Sequence, residues 1–110
     1  MQHIVVFSTA SNKEEAKKIA KVLVEVKLAA CVNIVDKIES IYEWQGKIQE
    51  DSEVLMIIKT KNELFESLMK KIKELHSYEV PEIIALDIKD GSYDYLKWID
   101  EVVKTVTNKI

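Results

Sequence analysis

The chain has 110 residues, 47% of them hydrophobic and 32% charged, with a formal net charge of −3; that is enough for one packed domain over residues 1–110, and too evenly charged for a polyanion binder. All 16 basic residues are Lys, which excludes the planar, bidentate grip on phosphate or carboxylate that Arg provides. Cys31 is the single cysteine, so an intrachain disulfide and a paired-cysteine metal or redox motif are both excluded, and no stretch reaches the length of a membrane span.

Residues 2–9 predict a strand. Ser11 and Glu14 form an S-x-x-E capping box, and the spacing of Ala16, Ile19, Ala20, Leu23 and Val26 predicts a helix to about Val26. Residues 30–44 predict a long strand in which Val32, Ile34, Ile38, Tyr42 and Trp44 share one parity. Ile41 is out of phase, which places a bulge or bend near Glu39-Ser40. Gln45-Gly46 turns the chain, Lys47 to Lys59 returns as the partner strand, and Trp44 stands close to the hairpin tip. Thr60 to Glu63 repeats the capping-box pattern before a second helix that buries Leu64, Phe65, Leu68, Ile72 and Leu75. A loop from His76 to Pro81 leads to a strand over Glu82–Ile88. Asp90-Gly91 turns again, Ser92 is positioned as an N-cap, and a last helix carries Tyr95, Leu96, Ile99, Val102, Val103 and Val106.

The order is βαββαβ with an extra C-terminal helix: an α+β, ferredoxin-like pattern with a long hairpin between the second and third strands. Three strand segments conflict with a free-standing monomer. Ile4 to Phe7, Val54 to Ile58 and Ile83 to Leu86 are apolar at every residue. Side chains alternate across a strand, so these segments are apolar on both faces of the sheet. Two helices cover one face and one short helix cannot cover all of the other. The cover this implies is a second copy of the chain in a closed homo-oligomer.

The segments Leu28-Ala29-Ala30-Cys31-Val32-Asn33-Ile34, Ser40 to Lys47 (SIYEWQGK), Lys59-Thr60, His76 to Glu82 (HSYEVPE) and Tyr95 to Ile99 (YLKWI) resemble, in order and along essentially the whole chain, the CutA divalent-cation-tolerance family. The resemblance implies a homotrimer of ferredoxin-like subunits whose hairpins reach across to neighbours. It also implies a protein without catalytic activity, associated with tolerance to copper and other divalent metals. Carried onto this chain, the family's reported copper ligands fall on Ser8, His76 and Glu82. The thiol at the first position is absent, as is the usual Pro at Ser77. His76 and Glu82 are therefore the expected metal residues. An imidazole and a carboxylate without a thiol suit copper(II) or another divalent cation, weakly bound, rather than copper(I).

Each of these residues also has a structural reading. An imidazole just past a helix C-terminus interacts favourably with the helix dipole. Glu82, after Pro81, can be solvated or paired with Lys. Cys31 reads as a small buried hydrophobe, and Tyr42 and Trp44 read as anchors of a protein–protein contact. Met56 and Met69 read as core filling.

The alternative function is a PII-like trimeric signalling or scaffolding protein acting through clefts between subunits. The short hairpin turn and the absence of Arg weigh against nucleotide binding there. The lack of Arg and of a Gly-rich phosphate loop also weighs against an acylphosphatase-type enzyme. Met1-Gln2-His3 lacks the basic segment of a signal peptide, so the expected compartment is the cytoplasm, with no nucleic-acid or membrane partner.

Overall fold

The computed structural model describes residues 2–105. Strand β1 is His3–Ala10, helix α1 is Lys13–Glu25, strands β2 and β3 are Cys31–Trp44 and Lys47–Lys61, helix α2 is Phe65–Leu75 after a 3-10 turn at Asn62–Leu64, strand β4 is Ile83–Asp87, and helix α3 is Tyr93–Val102. The strands form one sheet in the order β2-β3-β1-β4, with every neighbouring pair antiparallel. The βαββαβ order and the added helix are as the sequence predicts. Val106 lies outside the described residues.

One face of the sheet is the core. Ile4, Val6, Val54, Met56 and Ile58 are buried there beneath Ile19 and Leu23 of α1 and Leu68 and Ile72 of α2. The residues of β1 and β3 that alternate with them face the other way. Val5, Phe7, Leu55 and Ile57 belong to this second face, and the pairing of Phe7 with Ile84 and of Val5 with Leu86 extends it onto β4. Helix α3 covers one end of it. Asp100 accepts a hydrogen bond from His3 at 2.8 Å and lies 4.0 Å from the Lys61 ammonium, and the Lys104 N–H donates to the Lys27 carbonyl. The rest is bare on a single chain: Val35, Ile84 and Leu86 are 42%, 51% and 53% exposed.

The hairpin outruns the sheet. Pairing of β1 with β3 ends at Ala10 opposite Val54, while β3 continues to Lys47 against β2 alone. Gln45 and Gly46 both have positive φ (52° and 79°), the backbone of a two-residue type I′ turn.

Several local expectations are corrected. The bulge in β2 falls between Val35 and Ile38, where Lys37 takes a left-handed φ of 61°, rather than at Glu39-Ser40. One inserted residue reverses parity. Ile38, Tyr42 and Trp44 therefore share a face with Val35 and not with Val32 and Ile34, and Ile41 is the residue left on the helix side. The first cap is Asn12, whose side chain accepts from the Glu15 N–H at 2.8 Å, and not Ser11 with Glu14. Val26 is partly exposed, because α1 ends at Glu25 and the left-handed Lys27 turns the chain away. Thr60 does not cap α2: it lies in β3 and donates to the Leu28 carbonyl at 2.7 Å. Strand β4 is shorter than Glu82–Ile88, and Ser92 precedes α3 without a side-chain capping bond.

Candidate functional site

The segment after α2 folds back over the ends of β1 and β3, and Glu15 and His76 hold it there. Glu15 accepts from the Ser11 N–H at 3.0 Å and the Ser11 hydroxyl at 2.9 Å through one oxygen, and from the Ser77 N–H at 2.8 Å through the other. Burial raises its pKa, but the hydrogen bonds from Ser77 and Ser11 outweigh this and hold it down at about 2. The His76 ring is fully buried. Its Nδ1 accepts from the Tyr78 N–H at 3.0 Å, so Nε2 carries the proton and donates to the Thr9 carbonyl at 2.6 Å. The family-expected ligand position Ser8 is also buried, on the core face, and its hydroxyl has no hydrogen-bond partner among the described residues.

Beyond His76 the chain lines a cleft of about 500 Å³ between the hairpin and the loop. Its lining includes Tyr42 and Trp44 of the hairpin, Glu79, Val80 and Glu82 of the following segment, and Thr9, Glu53 and Tyr78. The Tyr78 hydroxyl donates to Glu53 at 2.6 Å, and burial followed by this hydrogen bond pushes its pKa above the usual phenol range. The Tyr42 hydroxyl donates to Asp51, which likewise raises its pKa.

The structure therefore places the two sequence-nominated metal residues close in the chain but in different settings. His76 is a buried ring with both nitrogens on backbone groups, and Glu82 is an exposed acid on the cleft wall. No group of three or more His, Cys, Asp or Glu side chains is arranged to hold a metal among the described residues. Cys31 is half-buried and lies near the Tyr95 hydroxyl rather than in the cleft. Sequence reasoning passed over Glu53, Tyr78 and Glu15. The signal for Glu15 was present as Asn12-x-x-Glu15. Glu53 carried only a weak one: an acid in phase with Leu55 and Ile57, just where the second face runs out.

The model of the CutA1 divalent ion tolerance protein family matches residues 4–102. The chain is 49% identical to the human Protein CutA over 104 residues, covering 94% of this chain and 58% of that one. It is 55% identical to the chloroplastic Protein CutA of Arabidopsis thaliana over 96 residues, covering 87% and 53%. The chain thus spans somewhat over half the length of these relatives. The crystal structure of CutA1 from Oryza sativa superimposes with a TM-score of 0.94 at 47% identity, covering 96% of this chain and 97% of that one. The family description names tolerance to divalent ions, not an enzymatic activity.

Proposed function

The chain belongs to the CutA1 divalent ion tolerance family, and on that footing we propose that it acts as a non-catalytic homotrimer of single-domain, ferredoxin-like subunits that binds divalent metal weakly, copper(II) included. The observation that carries the assembly is the second face of the sheet. An apolar surface running from Val35 through Leu55 and Ile57 to Phe7, Ile84 and Leu86, half-bare on one chain, needs a cover of the same character. Copies of the chain in closed rotational symmetry supply it, and the projecting hairpin gives each subunit an arm toward its neighbour.

His76 and Glu82 are the proposed metal contacts. They do not compose a chelating centre within one subunit, because the ring nitrogens serve the Thr9 carbonyl and the Tyr78 N–H. A metal that recruits the ring displaces one of these bonds, at a cost of about 1 kcal/mol, and finds no thiolate in compensation. Low affinity follows. Calorimetric titration with copper(II) is expected to show binding that weakens about tenfold in His76→Ala. Identical isotherms for the two proteins would remove His76 from the site.

The PII-like reading gains support from the cleft but loses its usual ligand. The lining carries Glu53, Glu79 and Glu82 and no basic residue, which repels a polyphosphate. The proposed compartment is the cytoplasm, consistent with a single free cysteine. The chloroplastic relative in Arabidopsis means that the family is not confined to one compartment. Among the described residues, no helix is long and apolar enough to cross a membrane.

A further inference from the structure

Glu53 is 8% exposed, and one of its carboxylate oxygens takes the Tyr78 hydroxyl. Its other oxygen has no partner among the described residues, and no Lys or His stands within ion-pair distance of either. That oxygen is not sealed from the cleft, so the nearly buried carboxylate presents its charge there with one neutral donor, and a cation in the cleft would meet it. The surroundings sharpen the requirement. Both phenols, Tyr42 and Tyr78, commit their protons to carboxylates, so toward the cleft they offer π faces and oxygen lone pairs. Glu79 and Glu82 add two more acceptors. The hydroxyls of Thr9 and Ser40 and the indole N–H of Trp44 are the remaining side-chain groups on the lining that can donate.

Acceptors beside an indole and two phenols suit a charged donor with an apolar body. A cation over an indole face gains from the ring quadrupole, and Val80 provides aliphatic wall for the rest of the molecule. The volume, about 500 Å³, fits a small organic molecule better than a bare ion.

We propose that this cleft binds small organic cations bearing an alkylammonium group, with Glu53 as the counter-ion and Trp44 and Tyr42 as aromatic walls. The site shares Glu82 with the proposed metal contacts, but its counter-ion, Glu53, is separate from the His76 ring, whose nitrogens are turned to the backbone.

The probe is putrescine, titrated into the assembled protein carrying Trp98→Phe, so that Trp44 is the sole indole. The expected result is a saturable change in Trp44 emission and a matching calorimetric isotherm, with Kd of about 1 mM or tighter. Glu53→Gln is expected to weaken binding about tenfold or more. Glu101→Gln, on α3, is expected to leave it unchanged. Sedimentation before and after the titration should return the same species, which separates ligand binding from a shift in assembly. Should Glu53→Gln not fold, Trp44→Leu keeps the bulk without the π face and is expected to weaken binding about fivefold by calorimetry. The idea is overturned if sodium chloride at matched ionic strength gives the same emission change, or if removing the carboxylate or the indole leaves the putrescine affinity as it was. A crystal structure of the assembly with a lysine of a second copy seated on Glu53 overturns it as well. These failures leave the copper(II) reading at His76 standing, because that titration is scored on the His76 ring and not on Glu53 or Trp44.

Discussion

Ile84→Asp is expected to yield a folded subunit that no longer assembles. Ile84 lies on β4 opposite Phe7, on the face of the sheet that the helices α1 and α2 do not cover, and is half-exposed on a single chain. A carboxylate there can be hydrated in the monomer, so the fold itself loses little. In the assembly the same carboxylate is shut against Phe7, Ile57 and their counterparts without a cation, at a cost of roughly 3 kcal/mol or more per site. In the proposed trimer, threefold symmetry repeats the penalty at every interface. Sedimentation velocity should show a trimer for the parent at micromolar concentration and a monomer for the variant, with the far-ultraviolet circular dichroism unchanged. Val24→Asp, on the outward side of α1, is the matched control and should remain trimeric. A parent that sediments as a monomer, or an Ile84→Asp protein that assembles as the parent does, would end the proposal that this face is the interface.

The second large effect is on acid stability, through Glu15. Its carboxylate joins the start of α1 to the segment after α2, across 62 residues of sequence. Its folded-state pKa of about 2 lies below the ordinary value of 4.5. A depressed carboxylate pKa contributes stability that is fully present above the unfolded value and fades as pH falls through the folded one. The contribution should therefore be complete at pH 7, begin to fail near pH 4.5 and be largely gone near pH 2. The shift corresponds to about 2 kcal/mol after allowance for the water that still reaches part of the group. Glu15→Gln keeps the shape and removes the charge. Denaturant unfolding at fixed protomer concentration should find it about 2 kcal/mol less stable at pH 7, with the gap closing as the pH is lowered toward 2. A gap that stays constant from pH 7 to pH 2 would show that the carboxylate's charge is not what holds the segment. Because the same segment carries His76 and the cleft wall, loss of the clasp should also blur the cleft.

Much of this architecture is written in contiguous residues. The 3.6-residue spacing of Ile19, Leu23, Leu68 and Ile72 gives the covering helices. Gln45-Gly46 gives the hairpin turn, since that turn needs two positive φ angles. The doubly apolar segments of β1, β3 and β4 announce a second apolar face. Misreadings cluster where two local signals of equal strength compete. Ser11-x-x-Glu14 and Asn12-x-x-Glu15 are both valid capping patterns one residue apart, and tertiary contact with Ser77 favours the second. Ile41 marks a parity break in β2, yet a break can be placed on either side of the residues that reveal it.

What the sequence by itself determined is the set of elements, their order, the family and the apolar character of both sheet faces. The elements and their order follow from periodicity and turn chemistry within a dozen or so neighbouring residues, and the family from the likeness of the Leu28–Ile34, Ser40–Lys47 and His76–Glu82 segments. Only the tertiary structure decided the chemistry of the cleft. The bulge between Val35 and Ile38 turned Tyr42 and Trp44 to the second-face side. Packing buried Glu53 with a single phenol for company. Contact between Thr9 and His76, which are 67 residues apart, committed a ring that the sequence had offered as a free ligand. Burial and hydrogen-bond satisfaction are properties of distant groups brought together, and no local pattern in the chain encodes which of its polar atoms will find a partner.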